Sequence, residues 1–254
     1  MIKIENVDVA GWEAAIRGMR NPMNSWQKSD SCISDVVTCF TCEHLSECPG
    51  KEWNTPFTNI GPNDHSLMMK LRNAGTDHRK FMRMIAVYLD ITAPLYWWKE
   101  FDTYKVGTVA NSCSTMHKIH EKEFTLEDFS CEHLLGGTNH YDERKVPYVP
   151  CAVGTHIAYS PIGILEYWIV PMLNYCRELY LKTKDKNYWW QMIQLLPSSY
   201  NQKRTVMLNY EVLANIYKSR KDHKLDEWRE FCKWVETLPY SELIRGENDE
   251  PENI

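Results

Sequence analysis

Apolar and polar residues alternate at the start of the chain, where the apolar positions are Ile2, Ile4, Val7 and Val9. A period of two is typical of a strand with one face on the core, so a first or edge strand is expected here. The apolar residues within 12–19 recur at helical spacing instead and predict a short helix.

The next part of the chain is irregular before a helical pattern resumes. Residues 21–63 contain Asn-Pro and Gly-Pro turns and many Ser and Cys residues, and are expected to form a long loop or insertion packed on the surface. A helix is then expected over residues 67–73, with Asp64 or Ser66 as its N-cap and Gly75 as its end.

Extended and helical patterns alternate again in the middle of the chain. Residues 80–92 are rich in residues that favour extended chain and predict a central strand, and a helix is expected to begin after Pro94. Residues 106–118 are small and polar, which favours a loop or a distorted helical link. A further helix is expected over residues 125–137.

The C-terminal half is mainly helical in pattern. A long helix is expected over residues 160–182, with a bend at Pro171, and a short helix over 187–196 with Asn187 as its cap. The apolar positions within residues 225–235 fall at helical spacing and predict the last helix. The chain is therefore expected to have an α/β fold in which helices predominate.

The stretch from Trp190 to Trp228 carries the most informative spacing. A Leu196-Pro197 break precedes a helix that is expected to begin near Asn209. Asn209 and Arg220 are separated by about three helical turns, so their side chains are expected to point the same way. Periodicity alone also fits an ordinary surface helix whose polar residues cap and solvate it.

Length and composition narrow the class of protein. The chain has 254 residues, a net charge of −5 and a mean hydropathy of −0.50, and we expect one globular domain over residues 1–245 with a frayed acidic tail at 246–254. The acidic balance argues against a nucleic-acid-coating surface. We expect no membrane-spanning segment and no secretion signal, and therefore a cytoplasmic protein whose nine cysteines stay reduced.

A cluster of cysteines suggests a metal site within the irregular stretch. It consists of Cys32, Cys39, Cys42 and Cys48, and it includes a single Cys-x-x-Cys pair. Four thiolates can hold zinc in a tetrahedron, which would make this stretch a metal-dependent interaction surface. The irregular outer spacings fit buried or free thiols equally well.

Two further candidates depend on side chains that the sequence alone does not bring together. One is a Cys113 or Ser114 nucleophile with a histidine base, for which His117, His120 and His140 are present. The other is an anion site that combines Arg220 with Lys203, Arg204 and nearby serine hydroxyls. A solvated charged surface is the alternative interpretation of the second group.

The C-terminal spacing resembles that of the flavin-dependent thymidylate synthases. In that family an Asn follows a Leu-Pro pair by twelve residues, a second Asn follows by six, and an Arg by five more. Pro197, Asn209, Asn215 and Arg220 occupy these positions without a gap, and Asp222 follows in register. The resemblance extends upstream over most of the chain, apart from the Cys-rich stretch and parts of residues 118–160.

The family signature Arg-His-Arg-x-x-Ser-x-Asn-x-x-Ser-x-Arg-Tyr is only partly present. Asn111 and Ser114 match its centre. The segment around residues 102–106, which includes Asp102, Thr103, Tyr104 and Lys105, has no counterpart of Arg-His-Arg. Met116 and His117 stand for Arg-Tyr, and Ile193 stands for an arginine ahead of the Leu-Pro pair.

The resemblance implies a helix-rich α/β fold with a central sheet and a Cys-rich insertion near residues 30–50. It implies that Ser114 and Arg220 contact a deoxyuridine monophosphate-like nucleotide and that Asn111, Asn209 and Asn215 contact FAD. Methylenetetrahydrofolate and NADPH would be co-substrates of the methyl transfer, no protein nucleophile would be needed, and the assembly would be a homotetramer.

The missing arginines leave two interpretations open. One is an enzyme that still methylates or otherwise alkylates a pyrimidine deoxynucleotide. The other is a non-catalytic descendant that binds a nucleotide or a partner protein. Each lost charge-assisted hydrogen bond weakens binding by about 1.5–3 kcal/mol, unless Lys105, Lys118 or Arg204 compensates.

Overall fold

The structure is a computed structural model that describes residues 2–34, 57–136 and 160–246. The strands in these ranges are β1 (Lys3–Ala10), β2 (Cys32–Ser34), β3 (Phe57–Asn59), β4 (Ala86–Pro94), β5 (Val109–Ser112) and β6 (Asn201–Asn209). Four of them form a sheet in the order β1-β4-β6-β5, and β2 pairs with β3 in an antiparallel ribbon.

Strands β4 and β6 are antiparallel neighbours. The amide of Leu95 donates to the carbonyl of Tyr200 at 3.0 Å, and at the other end the amide of Tyr210 donates to the carbonyl of Ile85 at 3.1 Å. Each strand leads directly into a helix, so the sheet fixes where both helices begin.

The helices surround these strands in sequence. They are α1 (Trp12–Arg20), α2 (Pro62–Asn73), α3 (Leu95–Phe101), α4 (Thr115–Lys118), α5 (Pro161–Ile164), α6 (Val170–Thr183), α7 (Lys186–Leu195), α8 (Tyr210–Arg220), α9 (Asp226–Val235) and α10 (Glu242–Arg245). A π-helical segment, Leu165–Ile169, joins α5 to α6 immediately before Pro171, which has no amide hydrogen for the helical ladder.

Most of the predicted elements are confirmed with small changes of boundary. The N-terminal strand and helix are present as β1 and α1, and the helix that was expected to begin near Asn209 is α8. The last predicted helix is α9. The α/β class with predominant helices is therefore confirmed.

Three local predictions are wrong. Residues 79–84 form a 3₁₀ helix, so the predicted strand over 80–92 begins only at Ala86. The small polar stretch 106–118, expected as a loop or a distorted helical link, contains the strand β5 as well as the short helix α4. The helix predicted over residues 125–137 is a single 3₁₀ turn, Leu126–Asp128, because Phe129 leaves it to form a β-bridge with Tyr200.

Two helix caps also differ from the predictions. Helix α2 begins at Pro62, before either predicted cap, and Asp64 lies buried within its first turn. The cap of α7 is Asp185, whose carboxylate accepts a hydrogen bond from the amide of Asn187 at 2.9 Å.

Asp64 instead forms a buried ion pair with Arg20 at the end of α1. The Nε of Arg20 lies 2.6 Å from Oδ1 of Asp64, and the two side chains are 4% and 0% exposed. The other carboxylate oxygen accepts from the hydroxyls of Ser29 and Ser31, at 2.7 and 2.6 Å. This network attaches the irregular segment after α1 to α2. The attachment is made by buried polar contacts and not by apolar packing alone.

The chain divides into two compact units. The first consists of Met1–Ile4, Asp90–Thr103 and Asn111–Thr205, and the second of Glu5–Leu89, Tyr104–Ala110 and Val206–Ile254. The single-domain organisation therefore stays a prediction, and residues 247–254 of the predicted acidic tail lie outside the described ranges. The first unit has an apolar core of buried residues, which are Ile119, Phe124, Phe129, Leu165, Leu173, Cys176 and Met192.

No helix in the part of the chain that the structure describes has both the length and the apolar character needed to cross a membrane.

Candidate functional site

A cavity of about 550 Å³ in the second unit is lined mainly by basic side chains, and we call it the basic cavity. Its polar lining residues are Arg72, Asn73, Arg79, Asn215, Lys218, Lys221 and Arg245. They come from α2, from the 3₁₀ helix that begins at Arg79, from α8 and the residue after it, and from the end of α10. A cavity of this volume is typical of small-molecule and cofactor sites.

Several of these charges are held in place by the fold. Arg72 donates to the carbonyls of Leu243 and Ile244 at 3.2 and 3.0 Å, which attaches α10 to α2. The Nε of Arg245 is buried and has no hydrogen-bond partner among the described residues. Such a donor favours a ligand that brings an acceptor, because a buried donor without one costs about 1–3 kcal/mol.

Asn215 lines the basic cavity and is positioned by Arg79. The guanidinium of Arg79 donates to the amide oxygen of Asn215 at 3.1 Å and also contacts Glu211 at 3.4 Å. Burial alone would raise the pKa of Glu211, but its hydrogen bonds and charge contacts with Arg83 and Arg79 hold that pKa below its ordinary value. Glu211 is therefore an anion at neutral pH, and it fixes the arginine that in turn orients Asn215.

Arg220 ends α8 and lies against two aromatic rings of the second unit. Its Nε donates to the hydroxyl of Tyr104 at 2.9 Å, and its guanidinium carbon is 4.8 Å from the ring centre of Trp228. Trp228 is fully buried, so the guanidinium has a rigid platform. Tyr104 lies in the part of the family signature that is charged in the family. In this chain it supplies no charge, and its hydroxyl positions Arg220.

Asn209 is buried and caps α8. Its side-chain oxygen accepts from the amide of Val212 at 3.0 Å, and its side-chain nitrogen donates to the carbonyl of Gly107 at 3.5 Å. Gly107 has a φ of +77°, and a Cβ there would lie 2.8 Å from that nitrogen. The amide keeps one lone pair and one hydrogen beyond these bonds, so the predicted flavin contact would have to share a side chain that already stabilises the helix.

Asn111 and Ser114 lie in the first unit, on β5 and at the start of α4. Both are exposed, and β5 is an edge strand of the sheet. Ser114 caps α4, because its hydroxyl accepts from the amide of His117 at 3.0 Å. The structure thus brings Asn209, Asn215 and Arg220 together on one strand–helix unit, while Asn111 and Ser114 belong to the other unit. Their ligand roles stay predictions.

Lys203 and Arg204, two cations of the predicted anion site, both have carboxylate partners, and the site itself stays a prediction. Lys203 is 3.0 Å from Asp90, and Arg204 is 2.7 Å from Asp102. The Arg204 guanidinium also lies 4.2 Å from the ring centre of Trp98. Arg204 is therefore occupied within the protein and is a poor replacement for a missing signature arginine.

The remaining chemical candidates receive no support from the geometry. In the ranges that the structure covers, neither Cys113 nor Ser114 has a histidine ring nitrogen as a hydrogen-bond partner, and His140 lies outside those ranges. Cys32 lies on β2 and is exposed, whereas Cys39, Cys42 and Cys48 are outside the described residues. Among the described residues no group of three potential ligands could hold a metal ion, so the zinc site stays a prediction.

Comparison with known proteins gives a match at the level of structure. No protein-family profile and no curated protein sequence matches the chain. A solved structure of thymidylate synthase X from Helicobacter pylori with FAD and dUMP superposes with a TM-score of 0.57 at 14% identity, covering 96% of each chain. A second structure, of flavin-dependent thymidylate synthase ThyX from Helicobacter pylori complexed with FAD and dUMP, gives 0.58 at 15% identity over 95% of this chain and 96% of that one.

The chain has the ThyX fold. The resemblance inferred from the spacing of Pro197, Asn209, Asn215 and Arg220 is thereby confirmed at the level of the fold. At this identity the likeness does not extend to the reaction, because one fold supports different activities through its site residues.

The basic cavity could not be predicted from the sequence around the ThyX-like spacing. Asn215 was identified by its position in that spacing, but Arg72, Arg79 and Arg245 come from distant parts of the chain. In the sequence these residues look like ordinary charged surface residues, so nothing marks them as members of one site. Gly75 was a weak signal, since it follows the end of α2 with a φ of +103° and lines the cavity.

Proposed function

We propose that the protein binds FAD and a pyrimidine deoxynucleotide and transfers a one-carbon group to the pyrimidine ring. Deoxyuridine monophosphate is the expected nucleotide, and methylenetetrahydrofolate and NADPH are the expected co-substrates. The observation that carries the proposal is the basic cavity around Asn215 in a chain with the ThyX fold. The bound flavin would supply the redox step of this chemistry.

The chemistry of the basic cavity fits the phosphate-bearing part of a flavin dinucleotide. A pyrophosphate carries negative charge that arginine and lysine neutralise with charge-assisted hydrogen bonds. Lys218 is exposed at the cavity, and the buried Nε of Arg245 offers a donor without a protein acceptor among the described residues. Asn215 adds an amide that can donate to a ring carbonyl or a ribose hydroxyl.

Arg220 is the side chain proposed to hold the nucleotide. A guanidinium can donate two parallel hydrogen bonds to a phosphate or to a pyrimidine carbonyl edge. Its contacts with Tyr104 and Trp228 limit its rotation, which lowers the entropy lost when a ligand binds. Ser114 is proposed as a second nucleotide contact, because its hydroxyl is exposed and can donate while it caps α4.

A homo-oligomer is part of the proposal. The helix α6 and the π-helical segment before it expose a row of large apolar side chains, with Trp168, Met172 and Tyr175 about half exposed. They follow one another at helical spacing, which places them on one face. An exposed apolar face of this kind fits association with a second copy of the chain.

The second candidate is a non-catalytic nucleotide-binding protein or protein-interaction module, and one observation favours it. Asp102 lies in the segment where the charged start of the signature is expected, and its carboxylate is paired with Arg204. A carboxylate in that segment repels a phosphate, and its ion pair with Arg204 makes that guanidinium less available to a ligand. Binding through Arg220 would then persist while the alignment needed for methyl transfer is lost.

An assay of product formation distinguishes the two candidates. The purified protein is incubated with deoxyuridine monophosphate, methylenetetrahydrofolate, NADPH and FAD, and the nucleotide is analysed by mass spectrometry. We expect a nucleotide heavier by one CH₂ unit, as a methyl group replaces a ring hydrogen, and formed only when all components are present. Controls are the reaction without folate and the Arg220→Ala variant. Unchanged nucleotide, together with tight binding of both FAD and nucleotide by calorimetry, would establish the non-catalytic candidate instead.

A further inference from the structure

A second cavity, of about 420 Å³, lies within the first compact unit. It is lined by Met116, His117, Tyr180, Lys184, Lys186 and Trp189, and we call it the lysine–tryptophan cavity. None of the residues proposed above to contact FAD or the nucleotide lines it. It combines two primary amines with two large aromatic rings, which is an unusual lining for a structural gap.

The ammonium groups of the two lysines lie over aromatic rings and form no pairs with carboxylates of the described residues. The Nζ of Lys184 is 5.7 Å from the ring centre of Tyr180, and the Nζ of Lys186 is 5.9 and 5.8 Å from the ring centres of Trp189 and Trp190. Within residues 2–34, 57–136 and 160–246 neither ammonium forms an ion pair. Their charges are therefore not neutralised by the described part of the protein.

The acidic residues near the two lysines in sequence are engaged elsewhere. Glu178 pairs with Lys182 at 3.8 Å. The carboxylate of Asp185 accepts from a backbone amide as the cap of α7. The cavity therefore keeps a positive lining that favours an anionic ligand.

The aromatic walls are fixed before any ligand binds. The indole nitrogen of Trp189 donates to the carbonyl of Met116 at 2.9 Å, which fixes the plane of its ring. The ring of Tyr180 packs edge-to-face against the ring of His120, with ring centres 4.9 Å apart. Rings that are already ordered lose little entropy when a flat ligand packs on them.

We propose that the lysine–tryptophan cavity binds a small aromatic compound that carries a phosphate group. The phosphate would lie between the ammonium groups of Lys184 and Lys186, and the aromatic ring would pack against Trp189 and Tyr180. The volume suits one ring system with one phosphate, since ligand cavities of about 300–1,000 Å³ enclose small molecules. The proposal requires neither flavin nor methyl transfer, so its failure would leave the proposed function unaffected.

Calorimetric titration of the full-length protein with phenyl phosphate tests this site. Inorganic phosphate and phenol serve as probes that carry only one half of the recognised chemistry. We expect phenyl phosphate to bind at least about tenfold more tightly than either probe, because the ring and the charge each add contacts. Its affinity should fall with added salt, since both amines are near the surface.

Lys184→Gln and Lys186→Gln identify the site. Each should weaken phenyl phosphate binding by about tenfold, the effect of losing one charge-assisted hydrogen bond. Both lysines are exposed, and glutamine keeps an L side chain at the φ of +59° that Lys184 adopts, so the fold should persist. Circular dichroism and thermal unfolding verify that it does.

Lys182→Gln is the matched control. Lys182 lies on the same helix as Tyr180, is 73% exposed and pairs with Glu178, but does not line the cavity. Its substitution should leave the affinity for phenyl phosphate unchanged. The proposal is overturned if phenyl phosphate does not bind, if inorganic phosphate binds as tightly, or if the Lys184→Gln and Lys186→Gln variants bind as well as the unmodified protein.

Discussion

Replacing Arg220 with alanine should weaken the binding of deoxyuridine monophosphate by about 10- to 100-fold. A hydrogen bond between charged groups contributes about 1.5–3 kcal/mol, and about 1.4 kcal/mol corresponds to a tenfold change. The guanidinium is fixed by the hydroxyl of Tyr104 and by the ring of Trp228, so its loss removes a donor that is already held in place before the ligand binds. Calorimetric titration of the nucleotide measures the change directly.

Two further variants test whether the loss of nucleotide affinity is specific to the guanidinium of Arg220. Arg220→Lys keeps the charge but loses the planar fork, so it should recover only part of the affinity. Lys233→Ala removes an exposed cation from the adjacent helix α9 and should change the nucleotide affinity little. Equal affinities for the unmodified protein and for Arg220→Ala would show that the C-terminal spacing no longer serves nucleotide binding.

Replacing Asp64 with alanine should lower the free energy of unfolding by about 3–5 kcal/mol, because it leaves a buried guanidinium without its counter-ion. The Arg20 side chain is 4% exposed, so water cannot readily replace the carboxylate. The hydroxyls of Ser29 and Ser31 would lose their acceptor at the same time. Urea denaturation followed by circular dichroism measures the loss.

Glu13→Ala provides a matched control on the same helix as Arg20. Glu13 pairs with Arg17, but both side chains are about two-thirds exposed, at 68% and 66%. Such exposed pairs contribute about 0–1 kcal/mol. A loss for Asp64→Ala no larger than the loss for Glu13→Ala would contradict a structural role for the buried pair.

The pH dependence of unfolding should differ between these variants. Burial by itself would raise the pKa of Asp64, but hydrogen bonds from Ser31, Ser29, Arg20 and Asp30 outweigh it and hold the pKa below its ordinary value. A lowered pKa gives stability that is present at neutral pH and is lost as the pH falls below about 4. Part of the acid sensitivity should therefore disappear in Asp64→Ala.

The sequence predicted elements whose pattern is local. Helix α8 was expected to begin near Asn209 from the helical spacing of the residues that follow, and in the structure Asn209 is its cap. Strand β1 followed from simple alternation. The spacing of Asn209, Asn215 and Arg220 also indicated the fold, since it depends on one continuous strand–helix unit.

Other elements depended on contacts between distant residues. Strand β6 begins with the polar run Asn201–Thr205, which does not have the pattern of a strand in the interior of a sheet. Lys203 and Arg204 are accommodated there because Asp90 and Asp102 neutralise them. The basic cavity and the Arg20–Asp64 pair likewise join segments that are far apart in sequence, so no local pattern could indicate them.

The visible absorption of the purified protein tests directly whether the chain binds FAD, as the proposed function requires. The protein is mixed with FAD, separated from free cofactor by gel filtration, and its flavin absorption is compared with its protein absorption. We expect a yellow protein with close to one flavin per chain. The Lys218→Ala, Arg245→Ala double variant should hold less flavin, since both side chains line the basic cavity. A colourless protein that retains no FAD would contradict the proposed function.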